Sequence, residues 1–184
     1  MLNINFNPFP VLTTERLTIR RITNDDANEL FFLRSDETVM QYVNRPKAQS
    51  MEDIGQWVKN VNTMIDNNDG IAWGIALRGE PKIIGTSSFH ILIKEHYRAV
   101  IGYVMHPQYH GKGYMQEAVT AMLDYGFKTM GLHSVEAHVN PANIASIKLL
   151  ERCNFVREGY FKEDFFWEGK FLDSGVYSLL APNR

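Results

Sequence analysis

At 184 residues the chain is the size of one ordinary domain, since two independent cores would leave each half near the lower limit of self-sufficient folding. Hydrophobic residues make up 45% of it, aromatics 12% and charged residues 22%, a composition that excludes intrinsic disorder and supplies ample material for a buried core. Nineteen Lys and Arg against 21 Asp and Glu give a net charge of −2, which excludes a global electrostatic pull toward nucleic acid or an anionic membrane while leaving a local basic patch open.

The opening residues 1–8 lack a basic stretch followed by an apolar one, and no later segment approaches the roughly 18 apolar residues of a membrane span. The expectation is a single cytoplasmic domain over residues 1–184, with no nucleic-acid or membrane partner. The single cysteine, Cys153, excludes an intrachain disulfide and a thiolate zinc cluster, and reads as a small buried hydrophobe near a helix end.

In chain order, residues 17–22 alternate with period two and predict a first strand. Thr23 or Asn24 then caps a helix that carries Asp25 and Asp26 in its first turn and runs through Leu33. Ser50 followed by Asp53 marks a second helix start, with Ile54, Trp57, Val58, Val61 and Ile65 at helical spacing down one face. Residues 71–77, 82–93 and 98–105 are rich in β-branched and aromatic side chains and are separated by turn chemistry, which predicts an antiparallel meander. A glycine-containing loop over 107–113 feeds a helix over 114–130 that stops at Gly131. A strand over 134–139, a helix capped by Asn143 and running to Arg152, and two closing strands over 155–161 and 175–180, joined across residues 167–170, complete the chain. The order βααβββαβαββ predicts an α/β fold with a mixed, mostly antiparallel sheet and about four flanking helices.

The loop at residues 108–114 lies between a strand end and a helix start, so its backbone N–H groups can converge at the positive end of the helix dipole, a geometry that binds phosphate. Gly111 and Gly113 permit close approach of an anion and a positive φ. Two glycines alone also describe a plain tight turn. A P-loop is excluded because the glycines are two apart with Lys112 between them; a dinucleotide fingerprint is excluded because Gln116 stands at its third glycine and the preceding strand belongs to a meander.

Gln108, Gly111 and Gly113 coincide with the pyrophosphate-binding signature Gln/Arg-x-x-Gly-x-Gly/Ala of the GNAT superfamily of acetyl-CoA-dependent N-acyltransferases, which the chain resembles over residues 12–181. Residues 12–20 resemble the first strand of the branch containing the ribosomal-protein alanine acetyltransferases. Ile101-Gly102-Tyr103 followed by residues 111–114 and Glu117, then residues 143–146 with Phe155, Glu158-Gly159 and residues 177–180, are similar to its later motifs.

The resemblance implies a splayed GNAT-like sheet, acetyl-CoA as cosubstrate without a metal, and a primary amine as acceptor, first among candidates a protein N-terminal α-amine. A small-molecule amine and a non-catalytic acyl-CoA sensor are the alternatives, and the assembly is expected to be monomer or homodimer. The resemblance places CoA on Tyr103, Val104, Met105, Gln108, Gly111, Lys112, Gly113, Tyr114, Met115, Asn143 and Ser146, with the oxyanion donor a backbone N–H near Val104 or Met105. Acyl transfer to an amine also needs a proton for the departing thiolate. The family's usual tyrosine position holds Leu150, so the resemblance assigns that role to Ser146, whose alternative is a local bond in the first helical turn. Asn143 reads both as helix cap and as pantetheine ligand. For the base, Val100 stands where related sequences carry Glu. Glu136 and His138, two apart on one strand, share a face, and histidine titrates near neutrality; a structural role for both is the alternative. His90, His96, His106 and His110 have no metal-ligand spacing and read as meander or loop residues.

Overall fold

The computed structural model describes residues 1–182. Two N-terminal strands, β1 (Leu12–Thr13) and β2 (Leu17–Arg20), precede three helices, α1 (Ala27–Ser35), α2 (Glu37–Met40) and α3 (Met51–Asp66). The meander is β3 (Ile71–Leu77), β4 (Ile83–Ile93) and β5 (Arg98–Met105), followed by α4 (Tyr114–Lys128), β6 (Ser134–Val139), α5 (Ile144–Arg152) and the hairpin β7 (Val156–Trp167) and β8 (Lys170–Leu180). The eight strands form one sheet in the order β1-β2-β3-β4-β5-β6-β8-β7, antiparallel except where β5 meets β6. This is the mixed, mostly antiparallel α/β sheet expected. Two short elements, β1 and α2, are additional, and the closing strands run farther than residues 161 and 175.

Local chemistry explains the elements. The Ser50 side chain accepts from Asp53 N while Asp53 Oδ2 accepts from Ser50 N, a reciprocal cap that starts α3. Ile54, Val58, Val61 and Ile65 are the buried face of α3, each worth about 1.5–3 kcal/mol on burial. Asp36 ends α1 and starts α2, accepting from Thr38 N and Val39 N at 2.9 and 3.0 Å. Buried Asp26 is forked by Arg20 at 2.9 and 2.7 Å, which ties β2 to the entry of α1.

Strand alternation divides the sheet into two faces. Trp73 meets both Phe89 and Tyr125 of α4 edge-on, and the Phe89 ring lies against Gly126 of α4, so the odd-numbered residues of β3 and residues 85, 87 and 89 of β4 face α4. Pairing carries this face to Ile101 and Tyr103 of β5. Ser88, His90 and Gly102 point to the opposite face, the side of α1 and α3. Cys153 is 6% exposed at the end of α5, the small buried hydrophobe expected. The β7–β8 hairpin pairs with β6 only through residues 175–180, so its outer part stands clear of the sheet with Phe161, Phe166 and Phe171 exposed. Among the described residues no helix is long and apolar enough to cross a membrane.

Candidate active site

The opening in the sheet originates in β4. Phe89 pairs with Ile101 and Ile91 with Val100, so His90 is an extra residue, a bulge that re-aims the strand. Beyond this point β5 and β6 part. They pair in parallel only from Arg98, Ala99 and Val100 to Ser134, Val135 and Glu136, leaving residues 101–105 of β5 unpaired on that side.

Which backbone groups face the gap follows from the ladder. His106 N donates to Ile84 O at 2.8 Å, and hydrogen-bonded pairs in an antiparallel ladder recur every second residue. Thr86 with Val104 and Ser88 with Gly102 are therefore hydrogen-bonded pairs, while Tyr103 and Met105 turn their N–H and C=O groups away from β4 toward the gap. The expected Val104 N–H is thus committed to β4, which leaves Met105 and Tyr103 as donors at the gap. The Met105 carbonyl is taken by His110 Nε2 at 2.9 Å.

The loop after β5 opens with a single turn, Pro107–Tyr109, in which exposed Gln108 donates its N–H to His106 Nδ1 at 3.2 Å. His106 stacks on Phe32 of α1 at 4.2 Å, so the end of α1 lies against the loop. Gly111 and Gly113 both adopt positive φ, +72° and +79°, the left-handed region a side chain disfavours. Gly113 is the N-cap of α4 and supplies no side-chain bond, and the first amides of a helix have no carbonyl partner within it. Unpaired amides at the positive end of a helix suit an anion. Lys112 Nζ lies 5.5 Å from the Tyr109 ring centroid. Met115 is buried and can offer an anion only its backbone.

A clamp ties this loop and the start of α4 to the N-terminal strands. The Glu117 carboxylate accepts from Thr14 Oγ1 at 2.6 Å, Arg16 N at 2.9 Å and Arg16 Nε at 2.6 Å. Arg16 also donates to the Lys112 carbonyl at 3.0 Å and lies over the Tyr114 ring at 4.6 Å. Burial alone would raise the Glu117 carboxyl, but the Thr14 and Arg16 bonds outweigh it and hold it below the ordinary value. The residue types at 14–16 and 117 are motif members in the sequence; their convergence is tertiary and no spacing announces it.

On the α4 face, Ser146 stands in the first turn of α5. Its N–H donates to Asn143 Oδ1 at 3.1 Å, so Asn143 caps the helix. Its hydroxyl lies 2.7 Å from the Tyr103 hydroxyl. Leu150 is fully buried, and the tyrosine of this site comes instead from β5. Burial pushes the Tyr103 phenol up to about 12, against the opposing bond to Ser146, with Cys153 adding to the rise. Tyr103 is therefore an O–H donor throughout the working pH range. The two hydroxyls form a chain beside the gap toward which Tyr103 N–H and Met105 N–H point.

On the opposite face Glu136 is held between Arg98 and His138, accepting from both. His90, set aside in the sequence as a meander residue, is presented by the bulge onto the same face, where its ring would be 3.3 Å from any Cβ at Gly102. Burial, then the nearby Arg45 and His138, push its pKa down, so it is neutral at pH 7. The structure thus assembles two groups across the gap, Tyr103–Ser146 with the glycine loop on one face and Arg98–Glu136–His138 with His90 on the other. It does not join His138 to Ser146 directly. Among the described residues no group of three or more His, Cys, Asp or Glu is placed to hold a metal ion.

The chain matches the family model described as an acetyltransferase (GNAT) domain over residues 16–156. It is 34% identical to YoaA, an uncharacterised N-acetyltransferase of Bacillus subtilis, over 96% of this chain and 99% of that one. A crystal structure of a GNAT-family acetyltransferase from Bacillus anthracis superposes with a TM-score of 0.84 at 32% identity, covering 95% of this chain and 100% of the other. The ribosomal protein uS5-alanine N-acetyltransferase of Escherichia coli is 28% identical over 94% of this chain and 91% of its own length. The spermidine N(1)-acetyltransferase of Vibrio cholerae is 25% identical over 86% and 89%. This chain belongs to the GNAT acetyltransferase family, N-acetyltransferases whose acyl donor is acetyl-CoA.

Proposed function

We propose that the acceptor is the α-amine of a protein N-terminus and that the acetyl group passes to it directly in the gap between β5 and β6. The observation that carries this reading is the Tyr103–Ser146 hydroxyl chain, 2.7 Å long, beside the backbone N–H groups of Tyr103 and Met105. In the reaction the amine nitrogen forms a bond to the thioester carbonyl carbon, and the oxygen of the tetrahedral intermediate accepts from an N–H at the gap. The C–S bond then breaks as Ser146 donates a hydrogen bond to the departing thiolate, with Tyr103 donating to Ser146 behind it.

The loop at residues 108–115 holds the pyrophosphate, which places the thioester end of CoA on the α4 face and leaves the α1 face to the acceptor. The E. coli uS5-alanine acetyltransferase, similar over nearly the whole chain, supports an α-amine. An α-amine titrates near pKa 7.7–8 and a lysine near 10.4, so the former is neutral often enough at physiological pH to lose its proton to water without a dedicated base. A small amine is the second reading, favoured by the similarity to the spermidine enzyme.

Release of free thiol from acetyl-CoA, measured with a panel of N-terminal peptides and small amines, decides between them. N-terminal peptides are expected to give the highest kcat/KM. Turnover confined to polyamines or other small amines would overturn the α-amine assignment.

A further inference from the structure

The α1 side of the gap carries an imbalance of charge. Arg16, Arg20, Arg21 and Arg98 each form an ion pair with a carboxylate. Arg34, near the end of α1, is half-buried and forms none among the described residues; its guanidinium lies over Trp57 of α3 at 4.5 Å. A half-buried cation without an anion is costly. Arg45 lies in the connection from α2 to α3, which returns to the end of α1 through Ala48 N donating to Arg34 O at 2.9 Å. Its side chain is likewise unpaired among the described residues and exposed.

The carboxylates of this region are engaged elsewhere. Asp36 caps α2, Glu37 meets Lys47, Asp53 caps α3, and Glu136 is shared by Arg98 and His138. The two guanidinium groups feel each other, since burial and then Arg45 lower the Arg34 pKa, and Arg45 also bears on His90 at the gap. Phe32 of α1 stacks on His106 at the start of the loop beside the gap, so the end of α1 that carries Arg34, and the connection with Arg45 that returns to it, lie on the α1 side of that loop.

We infer that Arg34 and Arg45 form an anion subsite on the acceptor side of the gap, taking a carboxylate carried close to the amine that is acetylated. The planar guanidinium fork matches a carboxylate in two-point contact. This rests on the acceptor reading above and narrows it to an N-terminus with Asp or Glu within its first few residues. A free amino acid, with its α-carboxylate, offers the same chemistry from a smaller source. Polycationic amines are disfavoured by the same two charges.

The test compares acetyl-CoA turnover on matched peptides that carry Glu, Gln or Lys at the second and third positions, on free glutamate, and on spermidine, for the wild type and for Arg45→Glu. Arg45 is exposed, so its reversal leaves the core intact; Arg34→Lys serves as a milder second variant. A charged hydrogen bond is worth roughly 10–100-fold in affinity, so the Glu peptide is expected to show a KM at least about tenfold below that of the Gln peptide. Arg45→Glu should remove or invert that preference while the KM for acetyl-CoA stays unchanged. Calorimetric binding of the Glu and Lys peptides to the protein with CoA gives the same comparison without turnover. Equal binding of Glu, Gln and Lys peptides, or a preference that survives Arg45→Glu, would overturn the subsite. Use of free glutamate alone, still dependent on Arg45, would keep the subsite and overturn the protein N-terminus; equal use of the Glu, Gln and Lys peptides, all well above glutamate and spermidine, would do the reverse.

Discussion

Ser146→Ala probes the chemical step and the fold at once, because the bond it removes has a partly buried partner. Loss of the Ser146 hydroxyl leaves the Tyr103 hydroxyl, which burial already pushes to about 12, without its 2.7 Å partner. An orphaned buried hydroxyl costs about 1–3 kcal/mol, which for a domain of this length lowers Tm by roughly 2–12 °C. Tyr103→Phe leaves Ser146 at the first turn of α5, where water can reach it, and should cost less, about 0.5–1.5 kcal/mol. On the rate, removal of a hydrogen bond made mainly to a developing thiolate lowers kcat roughly 10–100-fold and leaves the KM for acetyl-CoA nearly unchanged. If Tyr103 acts through Ser146, the double variant is no slower than Ser146→Ala alone. Single-turnover acetyl transfer with differential scanning calorimetry on the four proteins makes both comparisons. A lowered Tm with an unchanged chemical step in Ser146→Ala would refute the thiolate role and leave the pair as a helix-docking bond.

Gly111→Ala should leave the fold intact, since a Cβ there meets nothing within 4 Å and the left-handed backbone costs only about 1–2 kcal/mol; acetyl-CoA should bind roughly tenfold or more weakly by calorimetry, and an unchanged Kd would return the loop to a plain turn. Glu117 has its carboxyl held down in the fold, so it contributes stability that is present above the unfolded carboxyl value of about 4.3 and is lost as pH falls through the folded one. Glu117→Gln should therefore lower Tm at neutral pH and flatten the acid-side slope, whereas a slope parallel to the wild type would contradict the clamp. Activity on an α-amine peptide should rise with pH and level off near pH 8, while lysine acetylation continues to rise past about pH 9; an additional acid limb that vanishes in His138→Ala would contradict proton loss to solvent and make His138 the base.

The elements legible in the sequence are those whose signals are local. Ser50 with Asp53 and the spacing of Ile54, Val58, Val61 and Ile65 state α3 directly, and the β-branched runs state β3, β4 and β5. Asn143 announces α5 for the same reason. The outer half of the closing hairpin is illegible because Lys162, Glu163 and Asp164 are exposed on a strand held only by its partner, so no apolar alternation marks it. The glycine loop is legible as a strand-to-helix turn with two left-handed glycines because its chemistry lies within a few consecutive residues. Tyr103 and Ser146 are 43 residues apart, and only the fold brings them together. His90 escapes for another reason: it acquires its place from a one-residue shift of register against β5, and register is a property of two strands. The same limit applies to Val104, whose N–H orientation follows from the pairing of His106 with Ile84.

The central claim, direct acetyl transfer to an α-amine within the gap, is tested most directly by locating the acetyl group on one substrate that offers both nitrogens. A peptide with a free N-terminus and an internal lysine, incubated with acetyl-CoA and this protein near pH 7.5, is fragmented by tandem mass spectrometry. The account predicts a single acetyl group on the α-nitrogen with the lysine unmodified. Acetylation of the lysine in preference to the N-terminus would contradict it.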